Sequence, residues 1–151
     1  MQIASETGGW LSMRPLRYEF DEEPVDPLED WLVVSIAAAD HHGQVWQAES
    51  PCLTVAETIE LADWLRGAAE ADELEFIEPN VAFRQLPTEP GQHLLEVAFS
   101  HENLPPWLPG TGLGRVHRIR LEVTGAALNR AAGDWDAEIA AFPPRADLAN
   151  W

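Results

Sequence analysis

Residues 51–65 read Pro-Cys-Leu-Thr-Val-Ala-Glu-Thr-Ile-Glu-Leu-Ala-Asp-Trp-Leu and contain the clearest secondary-structure signal in the chain. Thr54 and Glu57 have the spacing of a capping box, in which the threonine hydroxyl accepts the amide hydrogen of residue 57 and the glutamate carboxylate accepts that of residue 54. We therefore predict a helix that begins at Thr54 and is ended or weakened by Gly67. Its predicted apolar stripe consists of Val55, Ile59, Ala62, Leu65 and Ala69, widened by Leu61 and Trp64.

The segment before this helix predicts a β-hairpin. Trp31 to Ala39 is an apolar run with the length of a buried strand, and residues 40–43, Asp-His-His-Gly, have turn chemistry. Gln44 to Glu49 alternates as a second strand would. Further strands are predicted at Gln2–Ser5, Trp10–Met13 with Leu16–Phe20 as an extension, Glu73–Ile77, Asn80–Leu86, Gln92–Ser100 and Arg115–Val123.

A second helix is predicted near the carboxyl end, from about Gly125 to Phe142, where Pro143-Pro144 stops it. It carries an apolar seam of Leu128, Ala132, Trp135, Ile139 and Phe142. The whole pattern favours an α+β fold: a mainly antiparallel β-sheet of hairpins and a meander, with one inserted helix and one C-terminal helix packed on it. We expect residues 1–145 to form a single acidic domain and residues 146–151 to form a tail.

The charge of the chain excludes one large class of function. Among 151 residues there are 26 acidic and 9 basic side chains, and the formal net charge is −17. All nine basic residues are arginine. A protein that binds nucleic acid directly needs a basic surface to meet the phosphate backbone, so direct nucleic-acid binding is not expected.

Several features favour a cytoplasmic location and a core that needs no cross-links. Hydrophobic residues make up 46% of the chain, and the lone cysteine, Cys52, has no partner for an intramolecular disulfide. The first residues lack the pattern of a secretory signal. The longest apolar run is well short of the ~20 residues of a membrane helix, and an anionic membrane surface would repel the chain. We predict no membrane partner and a monomer or weak homo-oligomer.

The densest group of charges lies in residues 21–30, Asp-Glu-Glu-Pro-Val-Asp-Pro-Leu-Glu-Asp. Two prolines and six acids in ten residues predict a solvated loop rather than a strand or a stable helix. The candidate partner-binding acids are Asp21, Glu22, Glu23, Asp26, Glu29 and Asp30. Either they serve solubility alone, or they attract a basic partner and speed its association.

Trp107 is the other candidate partner-binding residue. It lies in the segment from His101 to Gly114, which has three prolines and three glycines and is predicted to be a long loop. On such a loop the indole either covers the core or is exposed as an aromatic anchor for a partner. The sequence leaves both interpretations open.

No set of residues predicts catalysis, a metal site or a cofactor. Asp40-His41-His42 has ligand chemistry but is better explained as a hairpin tip, because adjacent side chains point in opposite directions. Ser100-His101-Glu102 lacks the Gly-x-Ser-x-Gly elbow of a hydrolase, and Gly110–Gly114 precedes a strand where a phosphate loop would precede a helix. The basic cluster of Arg115, Arg118 and Arg120 is either an anion site or a charge ladder between strands.

Several segments resemble the WapI family of immunity proteins, which are small acidic bacterial proteins. The matching segments are Trp31–Ile36, Pro51–Glu57 with Leu61–Leu65, Leu74–Phe83 and Phe142–Arg145. The resemblance implies a shared fold, a toxin domain as partner and no catalytic residues.

Our leading hypothesis is a non-enzymatic protein that neutralises a cognate toxin, such as a basic nuclease. The alternatives are an accessory domain whose acid serves only solubility, and an enzyme or small-molecule binder that uses the arginine strand and His117.

Overall fold

The computed structural model describes residues 1–67, 71–108 and 114–146, which form two four-stranded antiparallel sheets and two α-helices. The strands of the first sheet are β1 Gln2–Ala4, β2 Trp10–Tyr18, β3 Trp31–Ala39 and β4 Val45–Thr54. Those of the second are β5 Glu73–Leu74, β6 Val81–Leu86, β7 His93–Phe99 and β8 His117–Val123. The helices are α1 Val55–Leu65 and α2 Gly125–Ile139. The predicted α+β class is confirmed.

In the first sheet each strand pairs with the next one along the chain, in the order β1-β2-β3-β4. The predicted β3–β4 hairpin is present, and the Asp40 carboxylate accepts the amide hydrogens of His42 and Gln44, each at 2.9 Å, to close its turn. The second strand of this hairpin was predicted to end at Glu49 but continues to Thr54. A bulge beside Pro51 makes this extension possible, because proline cannot donate to a regular ladder.

Helix α1 begins as predicted. The Thr54 hydroxyl accepts the Glu57 amide hydrogen at 3.3 Å, and Glu57 accepts that of Thr54 at 2.7 Å, so both halves of the capping box are formed. The predicted stripe needs a correction at Ile59, which is exposed, whereas Leu61 and Trp64 are buried. The helix ends at Leu65, and Gly67 follows with a φ of 74°, a conformation that glycine adopts without strain. Ala69 lies outside the described residues.

The strands divide into two sheets where a single sheet was expected. Helix α1 follows β4, and the chain then starts a new meander in the order β5-β6-β7-β8. The buried Trp64 side chain of α1 packs against the second sheet, where its ring lies 6.0 Å from that of Phe83 in β6. Helix α2 packs on α1, where the Trp135 indole donates to the Thr58 carbonyl at 2.8 Å. One apolar core therefore includes residues of both sheets and both helices.

The end of α2 also differs from the prediction. The helix stops at Ile139, three residues before Phe142. Phe142 still packs on the core, with its ring 5.5 Å from that of Tyr18 and nearly perpendicular to it. None of the helices in residues 1–67, 71–108 and 114–146 combines the length and the apolar content that crossing a membrane requires.

Candidate functional site

The acidic loop, defined as residues 19–30 between β2 and β3, presents six exposed acidic side chains: Glu19 and five of the predicted partner-binding acids, Asp21, Glu22, Glu23, Asp26 and Glu29. The loop contains one turn of 3-10 helix, Pro27–Glu29. Asp26 caps this turn by accepting the Leu28 amide hydrogen at 2.9 Å. The loop is therefore solvated, as predicted, but one of its backbone amides is hydrogen-bonded to the Asp26 side chain of the same loop.

Asp30, the sixth acid of the predicted cluster, has a different environment. It is only 2% exposed. One carboxylate oxygen accepts the Arg145 side-chain Nε hydrogen at 2.8 Å, and the other accepts the Arg145 backbone amide hydrogen at 2.8 Å. Its carboxylate is thus occupied within the chain, and Asp30 does not share the surface formed by the other five acids.

Arg145 contacts both ends of the acidic loop. Besides its pairing with Asp30, its Nη1 donates to the carbonyl of Phe20 at 2.9 Å. Its guanidinium lies over the Tyr18 ring, 3.7 Å from the centroid, and the Tyr18 hydroxyl donates to the Pro143 carbonyl at 2.6 Å. We call this group of Tyr18, Asp30 and Arg145 the clasp. It fastens the segment after α2 to the base of the loop.

The clasp also changes the ionisation of its tyrosine. Burial raises the pKa of Tyr18, the nearby Asp30 carboxylate raises it further, and the Arg145 guanidinium acts in the opposite direction. The phenol therefore stays protonated at neutral pH and keeps its hydrogen bond to Pro143.

Apolar residues of the loop form a shallow depression between the acids. It has a volume of about 350 Å³ and is lined by Phe20, Glu22, Glu23, Pro24, Val25, Glu29 and Trp31. Val25 is 96% exposed and Phe20 is 51% exposed. The charge pattern of the sequence pointed to the acids, and these apolar side chains were not predicted as part of a site. The signal for them in the sequence was an apolar residue, Val25, placed among acids in a loop.

Trp107 combines the two interpretations that the sequence left open. Its ring lies 5.7 Å from that of the buried Trp46 at 90°, so it covers the core, yet it remains 39% exposed. The segment that carries it begins with a 3-10 turn at His101–Asn103 and is anchored by Asn103, which is fully buried. The Trp46 indole donates to the Asn103 carbonyl at 3.2 Å. Residues 109–113, which include most of the predicted glycine-rich loop, lie outside the described residues.

The acidic loop and Trp107 lie at opposite ends of the first sheet. Trp31 begins β3 beside the loop, whereas Trp46, which Trp107 covers, pairs with Ala38 near the end of the same strand. Seven residues separate Trp31 from Ala38, which corresponds to about 23 Å at ~3.3 Å per residue. The two parts of the predicted site are therefore separate surfaces, and only a partner that covers a large area would reach both.

Two members of the arginine cluster, Arg118 and Arg120, form a charge ladder on β8. The Nε atoms of Arg118 and Arg120 lie 3.5 Å and 3.0 Å from the two carboxylate oxygens of Glu96, a buried residue on β7. On β6 and β5 of the same sheet, Arg84 pairs with Glu73 at 2.8 Å. For Arg118 and Arg120 the structure favours the ladder over the anion site, because their guanidinium groups neutralise a carboxylate of the chain itself.

The remaining candidates for chemistry are separate from one another. His41 and His42 lie at the exposed hairpin tip, and within residues 1–67, 71–108 and 114–146 no group of three or more histidine, cysteine or acidic side chains could hold a metal ion. His117 packs against Trp46 with its Nε2 buried and without a hydrogen-bond partner. Burial raises the pKa of the Cys52 thiol to about 11, so this side chain stays protonated and unreactive.

A family model described as the immunity protein WapI-like family matches residues 2–143, from β1 to the segment that follows α2. The chain belongs to this family. The match to WapI-like proteins includes the acidic loop and Trp107 and ends two residues before Arg145. No curated protein matches the chain.

Proposed function

We propose that this WapI-like protein is a non-enzymatic immunity protein that neutralises a cognate toxin domain in the cytoplasm by binding it through the acidic loop. Membership of the family supports an immunity function and a toxin as partner. The observation that carries the proposal is the set of six exposed carboxylates on a loop whose two ends are both held by Arg145. Such a loop presents a concentrated negative charge without having to be ordered on binding.

The charge of the loop favours a basic toxin domain, and a nuclease is the class that fits best. A nuclease must attract phosphate backbones, so its cleft is positively charged. Asp21, Glu22 and Glu23 at the start of the loop would meet that cleft in place of nucleic acid. Complementary charges speed association and oppose wrong partners more than they add affinity.

Trp107 is proposed as a second contact at the other end of the first sheet. Its partly exposed indole packs against the buried Trp46, which is the arrangement expected of an interface anchor. A toxin domain that covers ~800 Å² of this protein would reach both surfaces. We propose that the unbound protein is a monomer or weak homo-oligomer with neither a cofactor nor a metal.

The test is binding and growth rescue with the toxin domain encoded beside this gene. One variant carries Glu22→Arg, Glu23→Arg and Glu29→Arg, which spares the capping Asp26 and the buried Asp30. The control carries Glu6→Arg, Glu89→Arg and Glu122→Arg, three exposed acids that do not belong to the loop. The two variants have the same net charge, so a difference in their association rates or growth rescue shows that the position of the acids matters.

We expect the loop variant to associate more slowly, to lose salt dependence of the association rate and to rescue growth poorly. The control variant should associate and rescue almost as the parent does. If both variants behave alike, the acids serve solubility only, and the loop is not the binding surface. If the parent protein neither binds the neighbouring toxin nor rescues growth, the immunity function itself is refuted.

A further inference from the structure

We propose that the depression on the acidic loop is a binding site for an arginine or lysine side chain presented by a protein partner. This inference rests on the proposed function, since it names the chemical group that the loop would take from a toxin domain. It adds one specific contact to the proposed binding surface, whose individual contacts the charge of the loop does not identify.

The walls of the depression combine two kinds of chemistry. Phe20, Pro24, Val25 and Trp31 are apolar, whereas Glu22, Glu23 and Glu29 are carboxylates. Arginine and lysine side chains bury their methylene groups along apolar surface and keep the charged group beside an acceptor. Their cations are also attracted to aromatic rings. A purely apolar side chain would leave the carboxylates without a partner, and a small inorganic cation would leave the apolar walls in water.

The exposure of the apolar residues has no explanation within the fold. Eight large apolar side chains are exposed in the described part of the chain, and three of them, Phe20, Val25 and Leu28, lie within nine residues of one another. Val25 gains almost nothing from the core at 96% exposure. Apolar groups that are exposed together and rimmed by charge are typical of surfaces that bind a partner.

The site is small and its base is held in place. A volume of about 350 Å³ is near the lower limit of ligand pockets, which suits a single long side chain better than a cofactor. Asp26 caps the 3-10 turn on one side of Val25, and Arg145 holds Phe20 at the start of the loop. Arg145 is itself paired with Asp30, so the positive charge that the rim attracts comes from a partner.

The first test needs no toxin. The purified protein is titrated at low salt with a capped arginine amide, and the Val25 methyl and Trp31 indole signals are followed by NMR. Capped citrulline amide, which has nearly the same shape and no charge, is the control ligand. We expect saturable shifts at both residues with arginine and far smaller ones with citrulline. Equal shifts with both ligands, or no shift with arginine at tens of millimolar, would overturn the proposal.

Matched variants test the two kinds of chemistry separately. Val25→Ser and Glu23→Gln should each weaken arginine binding several-fold. The controls are Val45→Ser, an exposed valine at the start of β4, and Glu89→Gln, an exposed acid of another loop. Both should bind arginine like the parent protein. If the controls weaken binding as much as the loop variants do, arginine is attracted only by net charge and there is no site.

The toxin domain then separates this inference from the proposed function. With it, Val25→Ser should increase the dissociation rate about tenfold and leave the association rate unchanged, because it removes a contact that forms only in the complex. If Val25→Ser dissociates like the parent while the parent still rescues growth, the side-chain site is refuted and the immunity function stands. If arginine binds the depression but the toxin does not bind the protein, the site stands and the proposed function fails.

Discussion

Arg145 and Asp30 are 115 residues apart in sequence and form a buried ion pair, in which the Nε and the backbone amide of Arg145 each lie 2.8 Å from a different oxygen of the Asp30 carboxylate. The same guanidinium donates to the Phe20 carbonyl and lies over the Tyr18 ring. One residue near the end of the chain therefore holds both ends of the acidic loop. The loop depends on this contact for its fixed base.

Loss of the guanidinium should destabilise the protein strongly. Arg145→Met leaves the Asp30 carboxylate buried without its counter-charge, although the backbone amide of residue 145 still donates to it. Breaking such an ion pair typically costs about 3–5 kcal/mol. Urea unfolding measures the change in the free energy of unfolding. The control is Arg120→Met, whose exposed side chain shares Glu96 with Arg118, and we expect at most ~1 kcal/mol there. Equal effects of the two substitutions would show that the clasp adds no stability beyond that of a surface pair.

The start of α1 should depend on its cap and on its buried face. Thr54→Ala removes the hydroxyl that accepts the Glu57 amide hydrogen and should cost about 0.5–2 kcal/mol. Leu65→Ala, at a buried position, should cost about 2–5 kcal/mol. Ile59→Ala is the matched control because Ile59 is exposed on the same helix, so its effect should be much smaller. Melting curves of Thr54→Ala and Leu65→Ala that overlay the parent curve would contradict this account of α1.

Acidic pH should weaken the region around His117. Burial lowers the pKa of His117, and the nearby Asp40 carboxylate opposes this only in part. The folded state therefore binds a proton less readily than the unfolded state. This contribution to stability is complete above the unfolded pKa of about 6.5 and is lost as the pH falls through the lower folded value.

The measurement is the urea midpoint of the parent and of His117→Gln at pH 7.5 and pH 5. Many carboxylates also titrate over this range, so the informative quantity is the difference between the two proteins at each pH. The parent should lose more stability than the variant on acidification. A variant that loses as much stability as the parent would exclude His117 as the source.

Trp107 should act on the lifetime of the toxin complex. If the toxin buries the partly exposed indole of Trp107, Trp107→Ala should speed dissociation by an amount equivalent to about 2 kcal/mol or more. Trp107→Phe is the control, because a phenyl ring keeps part of the contact with Trp46 and should retain part of the affinity. Binding kinetics measured well below the melting temperature separate this effect from any loss of stability. Unchanged dissociation in Trp107→Ala would leave the residue with only its role in covering Trp46.

Local signals in the sequence were sufficient for much of the fold. The capping box of Thr54 and Glu57 and the turn after Asp40 each act within a few residues, so their chemistry can be recognised without knowing the rest of the chain. Arg118 and Arg120 lie on the same face of β8 because successive side chains alternate between the two faces of a strand. Among the described residues of the predicted α1 stripe, Ile59 is the one that is exposed. Periodicity alone could not predict which edge of the stripe the core would cover.

The sequence by itself determined the acidity, the α+β class, the start of α1 and the position of the acidic loop between two strands. Only the tertiary structure decided which acids face the solvent, since Asp30 is buried by Arg145 from the far end of the chain. It also decided that the strands form two sheets and that Trp107 and the acidic loop lie at opposite ends of β3. The physical reason is that these features depend on contacts between residues far apart in sequence, whereas caps, turns and alternation depend on neighbours.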